Sequence, residues 1–417
     1  MNISKLLRKF YKVTLVVLKE NGSKRILDQQ FSLGHNIILF FIILLVPQLL
    51  IMSILCATTL KLITAEEYVK YHPTECLLYE MQKPFLIKAY PIEQTVGSAI
   101  ESLIQLPPNF VLSIPHGGIS CSEGEVITPC NSLLYDLATL WGRSPEENPL
   151  LKQCPYSSFK YEAVVANVSC LGANNYYHWM LDLLPKIYLL EKVSIHPDLY
   201  YIDYNGCKFQ KETLETLGID ESKIICASTS EQLICSNLVV PSLPGRIGIS
   251  PKWAFDFLKR KFLLPLHEKQ IKELPKKIYV SREKAGIRKL LNESKLNKLL
   301  KALGFETVFL EDLSVKKQAQ LFYYADIIVA IHGAGLTNMV FCSDKTHIIE
   351  LASPSAVNGC FWPISQQLGI DHTVILGSQK GLSDEDVINQ NFYLNTQAQR
   401  ILKQKLLELL RFSEKLD

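Results

Sequence analysis

Residues 326–341 constrain the fold most strongly, because they combine a buried strand, a glycine turn and the start of a helix. Ile327–Ile331 is an unbroken apolar run that is rich in β-branched residues. Such a run is typical of a strand buried on both faces of a parallel sheet. The turn that follows it consists of His332, Gly333, Ala334 and Gly335. We therefore expect an α/β fold with His332 at the carboxyl edge of a sheet, where open α/β sheets bind ligands.

The turn itself has two interpretations. Backbone N–H groups and the positive end of a helix dipole at such a turn suit a phosphate. However, no Gly-Lys-Ser/Thr follows, as in a phosphate-binding lysine loop, and no third glycine completes a dinucleotide fingerprint. A plain tight connection between strand and helix therefore remains the alternative for this stretch.

The surrounding sequence alternates between strand and helix patterns. In the second half we expect strands at 278–280, 307–310, 326–331 and 347–351, and helices at 293–303, 314–324 and 396–412. In the first half we expect strands at 110–114, 126–127, 163–168, 200–203, 224–225 and 238–240, and helices at 175–190, 208–217 and 250–262. Strands that alternate with helices of about ten residues predict parallel βαβ units.

The N-terminal part has a different composition. Residues 37–60 contain no charged side chain, and residues 1–36 carry seven Lys/Arg against two acids. A helix of this length would span about 36 Å, against about 30 Å of bilayer hydrocarbon. We predict a membrane segment with a cytoplasmic N-terminus, either a single span or a re-entrant hairpin turned at Pro47; a buried core helix is the alternative. A Golgi or ER lumen and a bacterial inner membrane both remain open as locations.

Six segments follow from these patterns. They are a basic segment at 1–36, the membrane segment at 37–60, a connecting region at 61–109, an N-terminal lobe at 110–268, a C-terminal lobe at 269–380 and a helical segment at 381–417. The formal net charge of +3 is too small to indicate a nucleic-acid partner. The 11 cysteines include no Cys-x-x-Cys pair, so their spacing predicts no zinc site and leaves the disulfide state open.

Two further groups are candidates for chemistry. Arg282 and Arg288 lie in a basic loop that leaves the first strand of the C-terminal lobe, at the same predicted sheet edge as His332. Their planar forks suit a diphosphate, although an exposed basic loop is the commoner meaning of such a run. His178 and Asp182 are four residues apart, so they share one face of a helix. They form either an acid/base pair or an ordinary surface contact.

Three blocks together resemble glycosyltransferase family 61, in that family's order and approximate spacing. They are the helix from Asn175 through His178 and Asp182 to Pro185, the loop from Ser281 to Glu293, and the stretch from Asp326 to Asn338. The resemblance covers roughly residues 110–380. It implies two Rossmann-like lobes that face each other across a cleft, as in GT-B-like enzymes. It also implies transfer of a sugar, with inversion, from a nucleotide-sugar donor to a glycan, polysaccharide or protein.

The resemblance also implies roles for individual residues. The donor diphosphate would meet Arg282, Arg288, His332, Gly333, Ala334 and Gly335. Glu311 and Asn338 would lie near the nucleotide or sugar, and His178 or Asp182 would face the acceptor. The carboxylates at 384–386 are better explained by helix capping than by a metal site, so we expect no obligatory metal, although a divalent ion stays possible. The alternative function is a non-catalytic membrane scaffold in a polysaccharide-assembly complex.

Overall fold

The computed structural model describes residues 60–88, 103–120, 123–137, 144–151, 158–227, 232–355, 359–379 and 391–413. The predicted segment at 1–36, all but Leu60 of the predicted membrane segment, and the carboxylates at 384–386 lie outside these residues. Within the described ranges, no helix is both long and apolar enough to cross a membrane.

The first half of the described chain forms a ten-stranded mixed sheet and a separate hairpin, β3–β4. The strands are β1 Lys61–Ile63, β2 Leu77–Gln82, β3 Phe85–Lys88, β4 Leu103–Leu106, β5 Asn109–Pro115, β6 Gly118–Ser120, β7 Glu125–Ile127, β8 Ser132–Leu134, β9 Ser158–Asn167, β10 Leu199–Ile202, β11 Ile224–Cys226 and β12 Gln232–Pro241. β12, β9, β10 and β11 lie side by side and run parallel.

This sheet is less regular than the predicted Rossmann-like lobe. β5 and β6 run antiparallel to β12, and β6, β7 and β8 form successive antiparallel pairs. Short connections explain the pairs among β6, β7 and β8, because only four residues separate β6 from β7 and β7 from β8. A parallel pair needs a crossover of a dozen or more residues, so such short links allow only antiparallel pairing.

The second half forms a five-stranded sheet, which confirms the predicted parallel βαβ units. Its strands are β13 Lys277–Val280, β14 Glu306–Val308, β15 Ile327–Ile331, β16 His347–Ala352 and β17 Asp371–Leu376. They follow the order β14-β13-β15-β16-β17, and every neighbouring pair is parallel. β15 is buried along its whole length, as its apolar run predicts. β17 was not predicted.

Helices cover and connect the sheets. They are α1 Ala65–Tyr71, α2 (the consecutive segments Tyr176–His178, Trp179–Leu183 and Leu184–Lys192), α3 Lys208–Thr216, α4 Lys252–Phe262, α5 Glu268–Lys272, α6 Glu293–Ala302, α7 Val315–Tyr324, α8 Trp362–Leu368 and α9 Thr396–Ser413. A 3₁₀ helix, Ala334–Phe341, follows β15. One buried apolar cluster includes Trp179 of α2, Phe257 of α4 and Met339 of this 3₁₀ helix, so both halves share a core.

Candidate active site

Helix α2 begins at the cap that the sequence predicts and then changes its winding. The Asn175 side chain accepts a hydrogen bond from the backbone N–H of Tyr177, and Trp179–Leu183 forms a π-helical turn. Such turns are rare and occur frequently at functional sites. The Trp179 ring is fully buried, and its indole N–H donates to Thr213 Oγ1 at 2.8 Å. This turn brings His178 Nδ1 to 2.7 Å from Asp182 Oδ2, the contact expected from their spacing.

The His178–Asp182 pair continues into a buried lysine one turn further along α2. Lys186 Nζ donates to the carbonyl of Ser169 at 2.6 Å. Burial raises the pKa of Asp182, although the hydrogen bond from His178 and the charge of Lys186 oppose the rise. Burial also lowers the pKa of Lys186. The carboxylate therefore sits between an imidazole and an ammonium group in a largely dry environment.

The surroundings of Asp182 leave little free space beside its carboxylate. Asp182 borders a cavity of about 10 Å³, roughly what one water molecule requires. Cys170, Leu243 and Gly245 also line it. A sugar acceptor does not fit such a space. Asp182 therefore binds Nδ1 of His178 from a space that is too small for a sugar.

Arg282 of the basic loop lies against the glycine turn, at the sheet edge that the sequence predicts, and Arg288 is near enough to act on it electrostatically. A Cβ atom added to Gly333 would lie 2.0 Å from Nη1 and 2.8 Å from Cζ of Arg282. Gly333 therefore makes room for this guanidinium. Gly335 has a packing role instead, because a Cβ there would lie 2.7 Å from Cδ1 of Leu310. Ala334 begins the 3₁₀ helix beside them and is half-buried.

The arginine pair concentrates positive charge that the protein does not neutralise by hydrogen bonding. Burial, and then the charge of Arg288, lower the pKa of Arg282 to about 10, and Glu311 acts in the opposite direction. Burial also lowers the pKa of Arg288. The Nε atoms of both arginines are buried and have no hydrogen-bond partner within the described residues. Two guanidiniums with unused buried donors fit an anion with several oxygens.

His332 lies directly after β15 and is held by a carboxylate on the next strand. Its Nδ1 bonds Oε1 of Glu350 in β16, and Oε2 of the same carboxylate lies 2.9 Å from Nε2 of His372 in β17. All three side chains are buried. Burial alone would raise the pKa of Glu350, but the charges and hydrogen bonds of the two histidines lower it from 4.5 to about 2.

The depressed Glu350 pKa predicts a loss of stability in acid. A carboxyl group with a lower pKa in the folded protein contributes stability above its unfolded pKa and loses it as the pH falls towards the folded one. We expect the free energy of unfolding to fall by up to about 3 kcal/mol from this group as the pH drops from about 4.5 to about 2. Urea unfolding at several pH values measures this. Glu350→Gln should remove this component, and identical pH profiles for the two proteins would contradict it.

Asn338 joins the two halves of the chain. It is fully buried. Its Oδ1 accepts from the hydroxyl of Tyr176 at 2.9 Å, and its Nδ2 donates to Gln318 Oε1 at 2.8 Å and to the carbonyl of Gly335 at 3.1 Å. The amide thus uses both of its ends within the protein, beside the glycine turn rather than in an open position.

We expect Asn338→Ala to lower the free energy of unfolding by about 3 kcal/mol, because it leaves the Tyr176 hydroxyl and the Gln318 carbonyl oxygen buried without their partner. Urea unfolding measures the loss. Asn297→Ala is the control, since Asn297 accepts a hydrogen bond from Thr307, in the same half of the chain. We expect nucleotide affinity to stay within about threefold. A much weaker affinity would support the donor contact that the resemblance implies.

A row of aromatic rings connects the sites of the two halves. The Tyr177 ring lies 5.4 Å from the His178 ring and 5.7 Å from the Phe361 ring, and Phe361 lies 5.3 Å from His332. The Tyr177 hydroxyl donates to the carbonyl of Gly248 at 2.9 Å.

The structure thus brings the predicted donor residues together, with Glu311 exposed at their margin, and links them to His178 and Asp182. Within the described residues, no group of three or more His, Cys, Asp or Glu side chains has an arrangement that would hold a metal ion.

Sequence reasoning missed Glu350 and His372, and it missed Tyr177 and Phe361. One signal was present, because Glu350 is the only charged residue in the otherwise apolar strand core 348–352. A carboxylate buried in a parallel strand needs a partner, and His332 directly follows the neighbouring strand.

Comparison with known proteins agrees with this geometry. Residues 176–349 match the model of the family described as Glycosyltransferase 61, a span from the first residue of α2 into β16. Among curated proteins, Beta-1,2-xylosyltransferase XAX1 of Oryza sativa subsp. japonica is 36% identical over 78 residues, which make up 18% of this chain and 13% of that protein. The chain therefore matches only a small part of its relative's length. The predicted resemblance is confirmed: residues 176–349 match the glycosyltransferase 61 family.

Proposed function

We propose that this protein is an inverting glycosyltransferase that moves a sugar from a nucleotide-sugar donor, UDP-linked in the first instance, to a hydroxyl group of a glycan, polysaccharide or protein. The family match and the xylosyltransferase activity named for the rice relative support sugar transfer. The observation that carries the proposal is the arginine pair. Arg282 and Arg288 both have a buried Nε donor without a hydrogen-bond partner within the described residues, and the guanidinium of Arg282 lies against Gly333.

The chemistry follows from the charges of these groups. In an inverting transfer, the acceptor oxygen bonds to the anomeric carbon while the bond from that carbon to the diphosphate oxygen breaks. Negative charge develops on the leaving diphosphate, where Arg282, Arg288 and His332 stabilise it. The hydroxyl proton passes to Nε2 of His178, whose Nδ1 is held by Asp182.

The remaining assignments follow from position. The charge of Glu311 raises the pKa of Arg282, so the two side chains lie near each other. Glu311 is therefore suited to contact the sugar or the nucleotide. The two guanidiniums supply positive charge that a divalent ion supplies in other transferases, so we propose that no metal is obligatory. The nucleotide sugar is a co-substrate, and no further cofactor takes part in this step.

Calorimetric titration of the full chain with UDP, GDP and CDP, with and without Mg²⁺ and Mn²⁺, tests the proposal. We expect micromolar binding of one nucleotide, independent of metal, and binding at least about tenfold weaker in Arg288→Ala. Arg400→Ala is the matched control, because Arg400 is exposed on α9. A folded protein that binds none of the three nucleotides would contradict the proposal and favour the scaffold function.

A further inference from the structure

Strand β9 extends beyond the strand beside it and leaves one backbone edge open. On one side, residues 158–161 pair in parallel with residues 232–235 of β12. On the other side, β10 pairs only with residues 165–167 of β9, and among the strands of the described chain none pairs with residues 158–162 there. An open strand edge is a template for pairing with another chain.

The direction of the backbone groups at this edge follows from the residue where β9 meets the start of β10. Val164 donates its N–H to Oδ2 of Asp198 at 2.9 Å, and its carbonyl accepts from the N–H of Asp198 at 2.9 Å. Both groups of Val164 therefore point towards β10. Because backbone groups along a strand alternate in direction with a period of two residues, those of Lys160 and Glu162 point the same way. These two residues can thus bond a further strand.

The side chains of this extension lie on two faces. Ala163 packs against the buried cluster that contains Leu233 and Cys235 of β12, so the odd-numbered residues of β9 lie on that face. Phe159 and Tyr161 continue it, each beside one of these two β12 residues. Their side chains are nevertheless 50% and 37% exposed. The apolar face of the sheet therefore ends in two uncovered aromatic rings.

The opposite face of the extension carries one positive and one negative side chain. Lys160 and Glu162 are both exposed and, being two residues apart, lie on the same face. Oε2 of Glu162 accepts a hydrogen bond from Oγ of Ser236 at 2.7 Å, which holds the carboxylate beside the strand. A carboxylate has about four lone-pair sites, so it can accept from a second donor as well.

We propose that this edge pairs with the same edge of a second copy of the chain, antiparallel and centred on Tyr161. Two-fold symmetry then places Lys160 of each copy opposite Glu162 of the other. Each of these two pairs exchanges two backbone hydrogen bonds and forms an ion pair. On the other face, Tyr161 lies opposite its own counterpart and Phe159 lies opposite Ala163. The exposed rings are thereby covered.

The charges and the open backbone groups select this register over its neighbours. Pairing centred on Lys160 would place two lysines opposite each other, and pairing centred on Glu162 would do the same with two glutamates. Like charges directly opposite each other are destabilising. The register centred on Glu162 would also need the backbone groups of Val164, which Asp198 already binds.

Such a dimer leaves the candidate active site accessible. Residues 158–162 form the amino end of β9, whereas His178 follows the carboxyl end of that strand. The inference therefore does not depend on the proposed function. Because one short strand edge makes a small interface, we expect a weak dimer with a Kd of about 1–100 µM.

Charge reversal tests the pairing. Sedimentation velocity of the full chain in a mild detergent, at concentrations that bracket the expected Kd, gives the fraction of dimer. Lys160→Glu puts like charges opposite each other, so we expect it to raise the Kd at least about tenfold. The double variant Lys160→Glu, Glu162→Lys restores opposite charges in both pairs, and its Kd should return to within about threefold of the wild type.

Disulfide formation tests the register. Tyr161→Cys should give a covalent dimer under mild oxidation, because Cα atoms in such a pair lie about 4.5 Å apart, within the range of a disulfide. Phe159→Cys is the matched control, since it lies on the same face of the same edge but about 14 Å from its counterpart in this register. The wild type, with its 11 cysteines, sets the background.

Each outcome supports or overturns the inference. A monomer at every concentration overturns it, and so does a dimer whose Kd is unchanged in Lys160→Glu, because that dimer forms through another surface. Equal cross-linking of Tyr161→Cys and Phe159→Cys overturns the proposed register. If Tyr161→Cys does not fold, the charge reversals decide alone. Failure to bind a nucleotide would contradict the proposed function and leave this inference standing.

Discussion

Gly333→Ala should weaken donor binding strongly while leaving the protein folded. The new Cβ would lie 2.0 Å from Nη1 of Arg282, a distance that no packed structure tolerates, so the guanidinium must move. The backbone does not oppose the change, because Gly333 has an extended φ of 166°. The clashing atom is the end of a flexible side chain, so it can move without disturbing the sheet.

The expected loss follows from the contact that is displaced. A charge-assisted hydrogen bond contributes about 1.5–3 kcal/mol, which corresponds to a loss of roughly ten- to a hundredfold in affinity for UDP. Calorimetric titration measures it, and urea unfolding should report a change below about 1 kcal/mol.

Gly286→Ala is the matched control, because Gly286 belongs to the same basic loop and an added Cβ there would meet no atom within 4 Å. We expect wild-type affinity from this variant. Equal affinities for Gly333→Ala and Gly286→Ala would mean that the Arg282 guanidinium does not bind the donor in the position described.

Asp182→Asn should have the largest effect on stability and should also stop transfer. It removes the negative charge that acts on buried Lys186 and replaces the carboxylate that binds His178 Nδ1 with a neutral amide. Loss of one charge of a buried, interacting set costs about 3–5 kcal/mol. Transfer should fall by up to about 10²–10⁴, the contribution of a general base, because Asp182 positions the proposed base His178. Urea unfolding and a transfer assay measure the two effects separately.

The double variant Asp182→Asn, Lys186→Met separates an effect on transfer from an effect on stability. Methionine removes the buried ammonium group, so we expect most of the lost stability to return while transfer stays low. Recovery of transfer together with stability would instead mean that the His178–Asp182 contact only supports the fold. Lys252 and Asp256 are the control, since they have the same spacing on α4 but are exposed, and Asp256→Asn should change stability by less than about 1 kcal/mol.

The second sheet was largely predictable because its signals are local. The apolar run of β15, the flanking helix patterns and the glycine turn each lie within a few residues, and together they specify a parallel sheet with His332 at its edge. β17 was not predicted, because residues 371–376 resemble a strand only once their pairing with β16 is known. His372 lies on this strand, so its place in the site was not predicted either.

The first sheet was less predictable because its order depends on distant pairings. Nothing near β1 indicates that it pairs in parallel with β8, some 70 residues later. The π-helical turn in α2 is another case, because the pattern of Trp179, Leu183 and Ile187 fits an ordinary helix equally well. The spacing of His178 and Asp182 still predicted their contact, since side chains four residues apart lie on one face in either winding.

The pairing of β12 also determines how late the first sheet can form during synthesis. β12 contacts β5, β6 and β9, so these strands wait for residues 232–241 to leave the ribosome. β13, β14 and β15 need only residues 277–331 to pair with one another. Pairing over long sequence separations is slow and leaves unpaired strand edges open to aggregation. The nascent chain is therefore most vulnerable to aggregation in the interval before β12 emerges.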